Sequence, residues 1–170
     1  MPISTITSKS TTGVISSGTA VASTSGTSID FTGIPSWVKR ITVMFNGVST
    51  NGSSTVSVQL GTSGGNESTG YAAGGVTSVG GTNNVGATST SRFLTQGGGG
   101  ASDISHGLAT IALISTNAWV FSFIGAHSQA GNSLQGGGSK TLSGTLTQVR
   151  ITTVNGTDTF DAGSINILYE

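Results

Sequence analysis

Ser102, Asp103 and His106 place a hydroxyl, a carboxylate and an imidazole within five residues of the sequence. These are the groups of a nucleophilic triad, in which the carboxylate orients the imidazole and the imidazole activates the hydroxyl. A triad also needs a strained turn that exposes the nucleophile, and no Gly-x-Ser-x-Gly elbow leads into a helical pattern here. We therefore expect a polar turn that leads into the apolar segment beginning at Leu108, and no catalytic residues.

The remaining chemistry would have to come from two histidines and a few acidic residues. His106, His127 and Asp103 would bind a metal only if they converged, and a separation of about twenty residues allows the two histidines to lie on adjacent strands or on opposite faces. One metal arrangement stays open, in which each chain of a trimer contributes a histidine to the three-fold axis. Asp158 and Asp161 are the only paired carboxylates suited to glycoside cleavage, and capping of a turn explains them better. The sequence predicts no metal, no cofactor and no enzymatic activity.

The composition is neutral and rich in small residues. The 170 residues include 28 Gly, 27 Ser and 27 Thr, six basic residues balance six acidic ones, and cysteine is absent. Six scattered bases cannot form the basic patch that displaces counterions from a nucleic acid. Each apolar stretch is far shorter than the roughly 20 residues that span a bilayer. We expect a folded protein that neither binds nucleic acid nor inserts into a membrane.

Alternation of apolar and polar residues predicts an all-β protein. Val38–Phe45 places Ile41, Val43 and Phe45 on one face, and Thr55–Leu60 repeats the pattern after the turn signal Asn51-Gly52, which suggests a hairpin or meander. Further strands are predicted at 108–115, 119–124, 141–146, 148–154 and 164–169, with weaker segments at 19–22, 28–31 and 92–95. Such a number of short strands is typical of an antiparallel β-sandwich or jelly roll.

Glycine-rich segments and the amino-terminal region define the expected organisation. Gly97–Gly100 and Gly136–Gly138 lack the Lys-Ser/Thr and the helix of a phosphate-binding loop, so we expect turns. Residues 61–91 are mostly Gly, Ser, Thr and Asn, which predicts a long loop or an irregular flap. Residues 1–28 are expected to form an extended arm that docks on the sandwich or on a neighbouring chain. Residues 29–170 form the expected sandwich domain.

A neutral surface of hydroxyls, amides and glycines neither repels its own copies nor attracts charged partners, which favours homo-oligomers. If a ligand exists, a neutral polyhydroxylated one such as a surface glycan suits this surface. The candidate ligand-binding residues are Trp37, Tyr71, Asn66, Asn83 and Asn84, with Trp119 as a further aromatic platform. Trp119, Phe121 and Phe123 are predicted either in the heart of the fold or at an oligomer interface.

Three stretches of the chain resemble a known module. They are Phe31–Val43, Gly136–Leu142, and the segment from Val149 to Val154 with Phe160–Glu170. They resemble the β-rich module found at the carboxy-terminal end of tail fibres of tailed bacteriophages, over about the last 140 residues. The resemblance implies a virion structural protein that is trimeric or otherwise oligomeric, contacts other virion proteins and has no catalytic residues.

The resemblance and the composition together predict a tail-fibre or host-receptor-binding component. A capsid decoration (cement) protein is the main alternative, because the arm and the neutral sandwich suit clamping of neighbouring shell subunits. A glycan-depolymerising enzyme and a secreted lectin-like adhesin also stay open. Either virion function places the protein in the phage particle, at the tail fibre or on the capsid surface.

Overall fold

The fold consists of strands and their connections. The computed structural model describes residues 15–80 and 83–170. No helix occurs in these ranges, so no described segment is a helix able to cross a membrane. The strands are β1 (Ser16–Ser17), β2 (Val21–Ala22), β3 (Ser28–Thr32), β4 (Arg40–Thr50), β5 (Val56–Thr62), β6 (Gly65–Asn66), β7 (Tyr71–Val79), β8 (Asn83–Ser89), β9 (Phe93–Leu94), β10 (Ser105–Ser115), β11 (Ala118–His127), β12 (Ser133–Thr141), β13 (Gln148–Thr153) and β14 (Phe160–Tyr169).

The strands form two antiparallel sheets. The larger sheet has the order β1-β14-β4-β10-β11-β12-β7-β8, and β2 also pairs with β14. The smaller sheet has the order β3-β13-β5-β6, and β9 also pairs with β5. In the larger sheet the alternation of side chains sends Ile41, Val43 and Phe45 of β4 to one face and Thr42 and Met44 to the other.

One hydrophobic cluster joins the two sheets. Buried side chains from both sheets belong to it, including Ile111 and Phe121 of the larger sheet and Val58 and Val149 of the smaller one. At its centre Phe93 of β9 stacks on Phe121, with ring centroids 4.6 Å apart. Two antiparallel sheets with a shared core match a β-sandwich, so the predicted fold class is confirmed. The finer expectation of a jelly roll stays a prediction.

Two predictions about the first half of the chain are wrong. Asn51-Gly52 does not close a hairpin, because β4 and β5 belong to different sheets and the chain crosses between them there. The predicted long loop at 61–91 instead contains β6, β7 and β8, and β7 and β8 extend the larger sheet. Glycine lowers the strand propensity of β7, but backbone pairing with β12 over eight residues holds it in the sheet.

A third prediction misplaced a strand. Gly136–Gly138 lies inside β12 rather than in a turn, and the strand predicted at 141–146 is mostly a connection. A side chain at Gly136 would place its Cβ 1.9 Å from the Leu94 carbonyl oxygen. All three glycines are therefore strand residues, and Gly136 lets the backbone of Leu94 pack directly on the sheet.

The predicted amino-terminal arm falls partly outside the described residues, which begin at Ile15. In its described part, β1 and β2 both pair with β14. Ser23 is fully buried and its hydroxyl donates to the Ala162 carbonyl at 2.7 Å. This described part therefore docks on the chain's own sheet.

Candidate functional site

Three connections meet at one end of the sandwich. They are residues 34–39 before β4, the turn Thr116–Asn117 between β10 and β11, and residues 142–147 before β13. Backbone hydrogen bonds hold them together: the Leu113 N–H donates to the Lys39 carbonyl at 2.8 Å, and the Leu142 N–H donates to the Asn117 carbonyl at 3.0 Å. Residues far apart in sequence are thus fixed around one space.

That space is a pocket of about 270 Å³, which we call the end pocket. Its lining combines hydroxyl and amide side chains with a few apolar walls and one cation: Pro35, Ser36, Val38, Lys39, Leu113, Thr116, Asn117, Trp119, Thr145 and Leu146. The neighbouring carbonyl groups fix the orientation of the Asn117 side-chain amide. Its nitrogen donates a hydrogen bond to the Gly144 carbonyl oxygen at 3.3 Å. A lining of this kind offers hydrogen bonds at fixed positions and little net charge.

Two features distinguish this lining: a left-handed residue in the two-residue turn between β10 and β11, and an unsatisfied buried N–H. Thr116 has a φ of 37°, a left-handed conformation that is unfavourable for a β-branched residue and costs free energy. The indole N–H of Trp119 is buried and has no hydrogen-bond partner among the described residues. Strained backbone and unsatisfied buried polar groups are concentrated at functional sites more than elsewhere.

Trp37 lies next to the end pocket, between its lining residues Ser36 and Val38. Its side chain is 46% exposed, and its ring packs against Tyr169 with centroids 6.0 Å apart. Contact with Tyr169 limits the positions of the indole, while the exposed remainder is free to contact a ligand. Of the predicted aromatic platforms, Trp119 lines the end pocket but is buried, and Trp37 stands beside the pocket with an exposed ring.

The prediction that Tyr71 offers a ligand-stacking ring is wrong. Its side chain is 3% exposed and packs edge-on against Phe93, with centroids 4.9 Å apart. Its hydroxyl accepts a hydrogen bond from the Leu60 N–H at 2.8 Å and donates to the Glu67 carbonyl at 3.1 Å. Burial raises the pKa of Tyr71 to about 12. The ring joins the two sheets and is not available to a ligand.

A buried ion pair accompanies Tyr71. The Lys140 ammonium is 2.5 Å from a Glu67 carboxylate oxygen and 5.4 Å from the Tyr71 ring centroid. The other Glu67 oxygen accepts from the Ser143 hydroxyl at 2.7 Å. Burial would raise the pKa of Glu67, but hydrogen bonds from Lys140 and Ser143 hold it below its ordinary value. Because every partner of this pair lies within the chain, the pair is structural.

The prediction of an oligomer interface at Trp119, Phe121 and Phe123 is wrong for these side chains. All three are at most 4% exposed and point into the core of the sandwich. The ring of Phe123 packs edge-on against the ring of Phe45, with centroids 5.5 Å apart. The alternative expectation, that they form the heart of the fold, is the one that the structure bears out.

The three predicted asparagines lie apart from the end pocket. Asn66 is in β6, and its side-chain oxygen is buried without a hydrogen-bond partner among the described residues. Asn83 and Asn84 are exposed at the start of β8. The structure therefore does not bring the predicted ligand-binding residues together at one site.

The suspected triad and metal residues do not converge on one site. Asp103 turns towards His127, with 3.5 Å between Oδ2 and Nδ1, while the His106 Nδ1 accepts from the Gly47 N–H at 3.2 Å. The Nε2 of buried His127 is 3.1 Å from the Gln96 side-chain oxygen. Burial lowers the pKa of His127, and the charge of Asp103 opposes this shift. No cluster of three His, Cys, Asp or Glu side chains suited to a metal occurs within residues 15–80 and 83–170.

Sequence reasoning missed Thr116, Asn117 and Thr145 in the lining of the end pocket. Each is an ordinary loop residue in a chain with 27 threonines, so type and spacing gave no signal. Pairing of β10 with β4 and of β11 with β12 brings their connections together. Comparisons with protein-family models, with curated proteins and with solved structures give no match.

Proposed function

We propose that this protein is a bacteriophage virion structural protein, the host-receptor-binding component of a tail fibre, which acts as an oligomer and binds a neutral glycan at the end pocket. The resemblance to tail-fibre modules supports the first part. One of the stretches that carry it, Phe31–Val43, includes the end-pocket residues Pro35–Lys39 and exposed Trp37.

The end pocket is the observation that carries the glycan assignment. It is lined by Ser, Thr and Asn side chains, and a partly exposed indole stands beside it. Its volume of about 270 Å³ is enough for a single sugar ring, at the small end of ligand sites. Sugar hydroxyls donate and accept hydrogen bonds without charge, which this lining matches, and the apolar face of a sugar ring packs against an indole.

The test is binding of the purified protein to an array of neutral bacterial surface glycans, followed by titration of the best binder by interferometry. We expect Trp37→Ala and Thr145→Trp each to weaken binding ten-fold or more, a loss of about 1.4 kcal/mol. The first removes the exposed ring, and the second fills the pocket. Val21→Ala, on exposed β2, is the control and should bind as the unaltered chain does.

Thermal unfolding of each variant separates loss of a contact from loss of fold. Binding unchanged in both pocket variants would remove the end pocket as the glycan site. An array without any bound neutral glycan would remove the glycan assignment itself.

A capsid decoration protein is the second candidate, favoured by a different observation. Leu108 and Ile124 expose large apolar side chains side by side on the outward face of the larger sheet, as a surface for clamping subunits would. Copy number in purified virions decides between the two, because a cement protein occurs in hundreds of copies and a fibre in tens. Immunogold labelling gives the same answer by position on the particle.

A further inference from the structure

The outward face of the larger sheet is not covered by any other described element. Its side chains form rows that run across six adjacent strands, from β4 to β8. One row is Met44, Leu108, Ile124, Gln135, Val76 and Gly86, and the next is Thr42, Thr110, Ser122, Gly137, Gly74 and Thr88. All twelve positions are uncharged.

One half of this face projects outwards. Met44, Leu108 and Ile124 lie directly opposite one another on β4, β10 and β11, and we call them the apolar ridge. Leu108 is 49% exposed and Ile124 is 69% exposed. Two neighbouring large aliphatic side chains held in water on a rigid sheet favour association with another apolar surface.

The other half of the face is recessed. Gly74, Gly86 and Gly137 lie on β7, β8 and β12 and centre a shallow depression of about 680 Å³, which we call the glycine trough. A second depression of about 510 Å³, lined in part by Leu108, Ile124 and Gln135, connects it with the apolar ridge. Ridge and trough therefore form one continuous surface.

Packing within the chain does not require the trough glycines. A Cβ at Gly137 would come no closer than 3.8 Å to any other heavy atom, and at Gly74 and Gly86 the nearest atoms are 3.5 Å and 3.9 Å away. All are ordinary contact distances. Glycine inside a strand reduces stability and often marks a place where another backbone or a ligand approaches closely.

We propose that this face is the interface with a second copy of the same chain, in which the apolar ridge of one copy packs into the glycine trough of the other. This inference rests on the proposed function in one respect: the second copy is the other subunit of the oligomer proposed there. Shape supports a copy as the occupant, because the projection and the recess that would receive it lie on one surface. Such a surface can be self-complementary, as a two-fold symmetric contact between two identical subunits requires.

Charge and area support the same occupant. An uncharged face brings no Coulomb repulsion when it meets a copy of itself. Six strands about 4.8 Å apart and three rows about 6.8 Å apart give roughly 600 Å² for each copy, and two copies reach the lower limit of specific interfaces, about 1,200 Å². A third row lies next to the first two and consists of Arg40, Ala112, Val120, Ser139 and Ala72. Its one charged residue, Arg40, lies at the end of the row and is paired with Glu170.

Sedimentation equilibrium of the purified 170-residue chain between 1 and 100 µM tests the interface. We expect a mass of twice 16.8 kDa. Ile124→Lys, which places a charge on the ridge, and Gly137→Val, which fills the trough, should each weaken association ten-fold or more. The matched controls are Ile15→Lys, at a residue 61% exposed outside the ridge, and Gly64→Val in the β5–β6 turn, where a Cβ also has ordinary contacts.

Cysteine crosslinking then tests the pairing, since the chain has no cysteine of its own. Ile124→Cys and Gly74→Cys are prepared separately, mixed and oxidised. We expect disulfide-linked pairs between the two variants in the mixture, and few in either variant alone. Efficient crosslinking of Ile124→Cys with itself would mean that ridge faces ridge, and would overturn the inference.

A monomer at 100 µM, or an oligomer whose mass is unaffected by both face variants, would also overturn the inference. Urea denaturation of each variant shows that the fold is kept. Glycan binding measured on the same samples keeps the two proposals apart: an unaltered chain that stays monomeric yet binds glycan rejects the interface and leaves the glycan assignment standing. Assembly without any glycan binding rejects only the proposed function of the end pocket.

Discussion

The two faces of the larger sheet use the same residue types with opposite results. On the inward face, Ile111 and Phe121 are buried, and the backbone of Leu94 packs directly on Gly136. On the outward face, Leu108, Ile124 and Gly137 have the same aliphatic and glycine character but no partner element among the described residues. Sequence composition alone would place both sets in a core.

The space around each glycine differs between the inward and the outward face of the larger sheet. A Cβ at Gly75 would lie 2.6 Å from the Gln96 carbonyl oxygen, and one at Gly138 would lie 2.6 Å from the Ala72 carbonyl oxygen, so both inward glycines are needed by the fold. The outward glycine Gly137 meets no such obstacle. The fold does not need glycine at position 137, so a close approach by a partner is the reason we infer for glycine there.

The largest difference is expected between Ile124 on the outward face and Phe93 of β9, which packs against the inward face of the larger sheet. This residue is fully buried between the two sheets, stacked on Phe121 and in edge contact with Tyr71. Phe93→Ala should lower the free energy of unfolding by about 3–5 kcal/mol, because it leaves a cavity as well as removing apolar contacts. Urea denaturation followed by tryptophan fluorescence measures it.

Ile124→Ala on the outward face is the control for Phe93→Ala. Measured at high dilution, where copies are separate, it should change the free energy of unfolding by less than about 0.5 kcal/mol. Equal losses in the two variants would mean that the two faces do not differ as described.

The second effect compares adjacent glycines of β12. Gly136→Ala should cost about 1–3 kcal/mol, because the new methyl group collides with the Leu94 backbone and overpacks the core. Gly137→Ala should be neutral or stabilising by up to about 1 kcal/mol, since alanine reduces the entropy of the unfolded chain. Thermal unfolding of the two variants side by side measures the difference. A similar loss at both positions would contradict the assignment of Gly137 as free.

The smallest effect is a pH dependence that separates the two histidines. Burial lowers the pKa of His127 below its ordinary value of 6.5, and Asp103 opposes the shift. The unfolded chain therefore binds more protons, so stability is complete above about pH 6.5 and falls as the pH drops below it. His127→Gln should flatten the dependence of the urea midpoint between pH 7.5 and 5.5, and His106→Gln, at an exposed site, should keep it. A midpoint that rises on acidification would show that the attraction of Asp103 outweighs burial.

Periodic strands were predictable because their signal is local. The alternation in β4, β11 and the final strand, the apolar run in β10 and the all-β class follow from which residues are apolar and at what spacing. Glycine-rich strands were not predictable. β7 and β12 have few side chains that mark a face, and they are strands because neighbouring backbones pair with them and pack on them.

The candidate site was predictable only in part. Trp37 was identified because an aromatic ring suits stacking on a neutral glycan, and its side chain is 46% exposed. Tyr71 was misassigned because it is the only large side chain in a polar stretch, which equally describes a residue that anchors that stretch to the core. The end pocket depends on three connections that only the sheet topology brings together.

The position of β14 in the larger sheet determines when this protein can fold during its synthesis. β14 follows every other described strand in the sequence, yet it pairs with β1, β2 and β4. A nascent chain that has not yet delivered Phe160–Tyr169 from the ribosome leaves β4 with an open edge and β1 and β2 without their partner. Completion of the larger sheet therefore waits until Phe160–Tyr169 has left the ribosome.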